Sequence, residues 1–161
     1  MKKIIIYYSY TGHTKMIAEY MAKKLGCNIL ELKPVKPYST NYQTVVDEEQ
    51  TNDTELHLRE YEPLNINLKE YDEIILRTPV WWYSISPVIR SFLKNEDLTN
   101  KTIFPFATNA GWLGKTFKEI ETLAKEDKAK VTNGLNVLFT EDYRENKVLT
   151  KLTDIDKWLG V

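Results

Sequence analysis

The chain has 161 residues, of which 42% are hydrophobic and 28% are charged, and its formal net charge is −1. This composition is typical of one folded domain and excludes a disordered chain, while the balanced charge argues against nucleic acid or an anionic membrane as a partner. No apolar stretch approaches the roughly 20 residues of a membrane-spanning helix, and the residues after Met1 do not follow the pattern of a cleavable leader. We therefore expect a single domain, 1–161, located in the cytoplasm.

Residues that bind metals or act as nucleophiles are scarce. Cys27 is the only cysteine, and His13 and His57 are the only histidines and lie far apart. A lone cysteine excludes an internal disulfide, and this set is too small for a zinc-type cluster. We therefore predict no metal site, and the sequence offers no convincing catalytic acid, base or nucleophile.

Apolar runs and amphipathic stretches alternate along the chain. The apolar runs predict five strands, at 3–8, 28–32, 71–78, 102–108 and 135–139. The amphipathic stretches predict helices at 14–25, 42–50, 86–93, 116–124 and 148–158. Strands separated by helices pair in parallel through right-handed crossovers, so the predicted fold is an α/β, doubly wound, five-stranded parallel sheet.

The loop after the first strand combines hydroxyl side chains with a glycine. Ser9, Thr11 and Thr14 flank Gly12, and a helix is predicted to follow directly. The first N–H groups of a helix lack intrahelical partners and favour an anion, and glycine lets the backbone approach it closely. Helix capping alone would need one hydroxyl group, so we predict a phosphate site, held by neutral donors because residues 9–14 contain no Lys or Arg.

Three adjacent aromatic side chains, Trp81, Trp82 and Tyr83, follow the third predicted strand. Two neighbouring tryptophans cannot both face the core of a regular element, and in a loop they offer flat apolar surface to a planar ligand. The alternative is that one tryptophan covers the sheet edge and the other covers a helix end.

The loop after the fourth predicted strand, residues 108–114, is rich in small residues and also contains Trp112. Residues 109–116 read N-A-G-W-L-G-K-T and approach the phosphate-binding pattern G-x-x-x-x-G-K-[ST], but Asn109 replaces its first glycine. No strand ending in Asp is placed to hold magnesium. We therefore prefer a loop whose backbone lies against the same ligand to a nucleotide-hydrolysis site.

Two motifs, Y-S-Y-T-G-H-T at 8–14 and T-P-V-W-W at 78–82, resemble the flavodoxin family, in particular its short-chain flavodoxin-like branch. The resemblance extends over essentially the whole chain. It implies the strand order 2-1-3-4-5, with FMN bound at the sheet edge where that order reverses.

The resemblance also implies a role for each loop residue. The phosphate of FMN would be held by Ser9, Tyr10, Thr11, Gly12, His13 and Thr14. The ribityl chain would lie along Thr78 and Pro79, and the isoalloxazine ring would be surrounded by Val80, Trp81, Trp82 and Tyr83. The other wall would be formed by Thr108, Asn109, Ala110, Gly111 and Trp112. Where relatives often have a small residue, this chain has Arg77, whose guanidinium would either reach the FMN edge or extend out of the sheet.

The resemblance implies a redox protein in which FMN supplies the chemistry. We favour electron transfer to a partner protein. The alternative is an NAD(P)H-dependent FMN oxidoreductase acting on quinones or similar small acceptors, often a homodimer; the nearly neutral charge favours this alternative. A binding module that has lost FMN is a third hypothesis, which the intact loop at 9–14 disfavours.

Overall fold

The computed structural model describes residues 1–50, 57–141 and 147–161 and confirms the predicted α/β fold. Within these ranges the strands are β1 Lys3–Tyr7, β2 Asn28–Glu31, β3 Glu73–Trp81, β4 Ser84–Ile85, β5 Thr102–Asn109, β6 Lys130–Val131 and β7 Leu135–Leu138. The α-helices are α1 His13–Leu25, α2 Tyr42–Glu49, α3 Pro87–Asn95, α4 Thr116–Glu126 and α5 Leu152–Leu159. None of these helices is long and apolar enough to cross a membrane.

The sheet has the predicted order. β2, β1, β3 and β5 are neighbours in parallel register, and β5 pairs with β6 near its start and with β7 near its end. The five predicted strands therefore lie in the order 2-1-3-4-5. Two strands were not predicted, namely β6 and β4, which forms an antiparallel hairpin with β3. Each has two residues, too few to show a period in the sequence.

Helices cover both faces of the sheet, as a doubly wound fold requires. On one face Ile4, Ile6 and Ile74 pack with Val88 of α3 and Ile120 of α4. The opposite face carries a second cluster. Its buried residues are Ile5, Tyr7, Ile75, Phe106 and Val137 from the sheet, Ile17, Ala18 and Met21 from α1, Ile155 from α5, and Phe139.

Two predicted boundaries are wrong by three residues or more, and the others differ by at most two. β3 continues through Pro79 to Trp81 instead of ending at Thr78. Proline is tolerated there because β1 ends opposite Arg77, so that beyond this point β3 has an open edge on the β1 side. The last helix begins at Leu152 and not at residue 148, because Val148 forms a β-bridge with Phe139 and the chain is still extended there.

We predict that Ile74→Ala lowers the free energy of unfolding by about 2–5 kcal/mol, because it leaves a cavity in the central strand. Ile74 is fully buried, whereas Ile29 on the edge strand β2 is 38% exposed. Ile29→Ala is therefore the matched control, with a clearly smaller loss. Urea denaturation measures both, and equal losses would contradict the central position of Ile74.

Candidate functional site

The three predicted loops leave the same edge of the sheet because their strands are in register. Tyr7 of β1 lies opposite Arg77 of β3, which lies opposite Phe106 of β5. In parallel strands the carboxyl ends point the same way, so the segments at 8–14, 78–83 and 108–114 meet at one edge. Contacts join the first segment to the second and the second to the third, and the Arg77 side chain bridges the first and the third.

The first loop turns tightly into helix α1. Gly12 has φ 88° and donates its N–H to Ser9 Oγ at 3.0 Å. Gly12, the N-cap residue of α1, has no side chain to cap the helix, and the first turn contains no acidic residue. Thr14 is buried at 2% exposure, while Thr11 and Gly12 are exposed. The N–H groups of the first helical turn, which lack intrahelical partners, are thus available to an anion.

Tyr10 ties this loop to the segment before α2. Its hydroxyl donates to the Ser39 carbonyl at 2.6 Å, and its ring meets the Trp81 ring edge-on at a centroid distance of 5.8 Å. Tyr10 therefore joins the first loop to the second.

Trp81 lies inside an aromatic cluster rather than in a free loop. Its ring makes edge contacts with Tyr38 at 4.7 Å, Trp82 at 5.8 Å and Tyr8 at 6.1 Å between centroids. Burial raises the pKa of both Tyr8 and Tyr38 above the ordinary phenol value, so both hydroxyls stay protonated. Trp81 thus lies at the base of the second loop, and the exposed ring of Tyr83 lies beyond it.

Trp82 and Tyr83 form the two-residue turn of the β3–β4 hairpin. Both have positive φ, 48° and 65°, between the antiparallel pairs Trp81–Ser84 and Val80–Ile85. Two-residue hairpins favour turns with two positive φ angles, but glycine and asparagine usually occupy them. Bulky side chains in this conformation are strained, and such strain persists only where neighbouring contacts hold it.

The third loop and helix α4 hold this turn. The Lys115 N–H donates to the Tyr83 carbonyl at 2.8 Å, and a Cβ on Gly114 would lie 2.3 Å from the Tyr83 Cβ. On the other side of the turn, Ser84 donates to Glu119, whose carboxylate also accepts from Arg90 Nε at 2.6 Å. Together these contacts hold the backbone that carries Trp82 and Tyr83.

The third loop is organised by Asn109. Its side-chain oxygen accepts from the Gly111 N–H at 2.8 Å, and its amide nitrogen donates to Asn136 at the start of β7. Trp112 follows with 57% exposure, close to the 59% of Tyr83. Because Lys115 and Gly114 contact the Tyr83 backbone, the phosphate-loop resemblance at 109–116 does not correspond to a separate phosphate cradle.

Arg77 joins the first loop to the third from below. It is fully buried and donates to the Tyr8 carbonyl and to Thr108 Oγ1. The guanidinium does not extend out of the sheet, so that sequence expectation is wrong, whereas the expectation that it reaches FMN stays a prediction. Burial holds the pKa of Arg77 well below its ordinary value.

All the predicted residues therefore lie in these loops or in the adjoining strand ends, although the side chain of His13 is outside the described part of the structure. Pro79, Val80 and Ala110 are half-buried between the residues already placed. The sequence did not point to Tyr38, Ser39 or Asn136, which come from distant segments. A cavity of about 350 Å³ beside β2, lined in part by Glu31, Lys33 and Glu62, shares no residue with the site.

A family model described as "Flavodoxin" matches residues 2–151. The chain belongs to the flavodoxin family. This confirms the family predicted from the motifs at 8–14 and 78–82. Among curated proteins, none matches the chain.

Solved structures of the same fold cover nearly the whole of this flavodoxin-family chain. A protein of Bacteroides eggerthii described as a flavoprotein is 22% identical, with a TM-score of 0.75 over 99% of this chain and 98% of that one. A Lactobacillus acidophilus flavoprotein in complex with FMN is 23% identical, with a TM-score of 0.72 over 98% and 97%. Oxidised flavodoxin 2 from Bacillus cereus is 18% identical, with a TM-score of 0.58 over 99% and 98%. At these identities the likeness shows the fold.

We predict that Gly114→Ala destabilises the protein by about 2–5 kcal/mol, because the new Cβ clashes with Tyr83 in addition to the strain of its left-handed backbone. Gly26→Ala is the matched control. Gly26 has φ 61°, close to the 56° of Gly114, but a Cβ there meets nothing within 4 Å. The control should lose about 1–2 kcal/mol. Thermal and urea unfolding compare the two, and equal losses would mean that Gly114 does not support the turn.

Proposed function

We propose that this flavodoxin-family protein binds FMN non-covalently at the carboxyl edge of its sheet and transfers electrons to a partner protein. The observation that carries the proposal is the meeting, at one edge, of an uncapped helix N-terminus and an aromatic hairpin turn. Family membership supports FMN, as does the FMN complex of the structurally similar Lactobacillus acidophilus flavoprotein.

The first loop fits a phosphate group. The backbone N–H groups at the start of α1 point out of an uncapped end, and the first turn adds no carboxylate that would repel an anion. Ser9 already accepts from the Gly12 N–H, so its hydroxyl shapes the turn. Thr11 and Thr14 would supply the hydroxyl donors, with Tyr10 holding the loop in place.

The second and third loops fit a planar aromatic ring. Tyr83 and Trp112 each expose more than half of their surface, beside the partly buried Trp82. Covering such rings removes apolar surface from water and adds stacking energy. When bound, FMN supplies the electron-transfer chemistry. The role of the protein is to orient the ring, exclude water from it and present the backbone of Ala110 and Gly111 to its edge.

Electron transfer requires only this one site. A reductase that uses NAD(P)H would also have to bind a nicotinamide nucleotide. Among the three loops, the described residues provide one helix N-terminus without a carboxylate in its first turn, that of α1, because α4 has Glu119 in its first turn. The electron donor and acceptor of this chain would then be proteins that reach the flavin edge beside Tyr83 and Trp112.

We predict that Thr14→Val and Thr11→Val each raise the Kd for FMN about 5- to 10-fold, because each loses a hydrogen bond worth about 1 kcal/mol. Valine keeps the shape of threonine, so packing around the buried Thr14 is retained. Quenching of flavin fluorescence on binding measures the Kd.

Thr122→Val is the control for these variants. Thr122 lies on the exposed face of α4, and its hydroxyl donates to the Lys118 carbonyl of its own helix. The Kd of the Thr122→Val variant for FMN should equal that of the wild type. Unchanged affinity in both loop variants would show that the phosphate is not bound at 9–14.

We predict that NADH and NADPH leave the absorbance of the FMN-loaded protein unchanged under anaerobic conditions, while dithionite bleaches it. An electron carrier has no site from which a nicotinamide could deliver hydride. Rapid bleaching by either nucleotide would contradict the electron-carrier proposal and support the reductase alternative. Failure to bind FMN would exclude both functions.

A further inference from the structure

Arg77 is a buried charge without a counter-charge. Its side chain has no exposed surface, and within residues 1–50, 57–141 and 147–161 no carboxylate pairs with it. Its two hydrogen bonds go to neutral oxygens, of Tyr8 and Thr108, and its Nε has no partner. Burying a charge is costly unless another charge compensates it. The arrangement therefore calls for an anion that the described residues do not supply.

The guanidinium lies directly behind the first loop. The carbonyl that accepts from it belongs to the Tyr8–Ser9 peptide, where the loop begins. Arg77 is two residues after Ile75, so it lies on the sheet face that α1 covers. The charge thus occupies the space between the sheet and the N-terminal end of α1.

The two electrostatic features of this region, the helix dipole of α1 and the Arg77 guanidinium, are both positive. The N-terminus of α1 carries the positive end of the helix dipole, and its first turn contains no acidic residue. The Arg77 guanidinium adds positive charge beneath it, in surroundings where water does not screen the field. Two positive features repel each other, and a dianion bound at the loop would stabilise both.

We propose that Arg77 is the built-in counter-charge for the FMN phosphate and makes this site select the phosphorylated flavin over riboflavin. This inference rests on the proposed function, since it assumes that a flavin binds at the three loops. It assigns selectivity to a residue outside the loop, whereas hydroxyl and N–H donors alone would distinguish the two flavins less strongly.

The test compares the Kd values of FMN and riboflavin for the wild type, Arg77→Met and Arg77→Lys, measured by fluorescence quenching. In Arg77→Met the Kd for FMN should rise at least tenfold, while the Kd for riboflavin should change less than twofold. Arg77→Lys keeps the charge and should retain most of the selectivity.

Lys101→Met is the matched control. Lys101 is also a buried cation, 8% exposed, and donates to the carbonyls of Leu68 and Tyr71. It precedes β5 at the opposite edge of the sheet, roughly 20 Å along the strand from Thr108. Its removal should leave the ratio of the two Kd values unchanged.

A second readout is the ³¹P chemical shift of bound FMN as a function of pH. A nearby cation favours the dianion, so in the wild type the phosphate should lose its second proton well below the ordinary pKa of about 6. In Arg77→Met the pKa should return towards that value. His13 is present in both proteins, so the difference between them belongs to Arg77.

The outcomes separate the two proposals. If the wild type binds neither flavin, the proposed function fails, and this inference fails with it. Suppose that the wild type binds FMN, but that Arg77→Met leaves the ratio of the Kd values of FMN and riboflavin unchanged, whether or not both rise. Arg77 then contributes only to packing, and the inference is wrong. If Arg77→Met does not fold, the wild type and Arg77→Lys still decide: a wild-type phosphate pKa near 6 would overturn the inference.

Discussion

The parallel register of β1, β3 and β5 decides where the three loops of the candidate site lie. Tyr7, Arg77 and Phe106 lie level across three neighbouring strands, so the strands end together and their loops leave from one edge. The same register aims Arg77 at the α1 side. A slip of one residue between β1 and β3 would turn every side chain of β3 to the other face. The apolar faces of the sheet therefore fix the register, and through it the charge beneath the first loop.

The hairpin turn shows how that edge maintains an unfavourable local conformation. Positive φ at Trp82 and Tyr83 costs on the order of 1–3 kcal/mol for each residue. The opposing contacts come from α4 and the loop before it, through Gly114, the Lys115 N–H and Glu119. None of these contacts can form until β5 has placed the third loop beside β3. The turn conformation is therefore a property of the tertiary structure, and it directs large rings to the position where the proposed ligand would lie.

Regular elements could be predicted from the sequence wherever hydrophobic period and length agreed. The runs Ile4–Ile6 and Ile74–Leu76 were predicted as buried strands and are buried strands in the structure, and Gly26 ends α1 in the left-handed conformation expected of a helix stop. The errors fell where tertiary contacts outweigh local preference. Pro79 remains in a strand because its neighbour β1 has already ended, and Val148 stays extended because Phe139 pairs with it.

The features of the candidate site also differ in whether local sequence or tertiary contacts determine them. Hydroxyls around Gly12 and adjacent aromatics after a strand are local patterns, so both loops could be identified from the residues themselves. Arg77 stands 69 positions after Tyr8 and reaches its carbonyl only because β3 is the neighbour of β1. The segment 9–14 alone indicates a site of neutral donors, since it contains no basic residue. In a parallel sheet, however, the potential at a strand-to-helix turn also depends on the side chains of the adjacent strand, which strand order alone brings near. The charge of such a site therefore has to be assessed across the sheet and not along the loop.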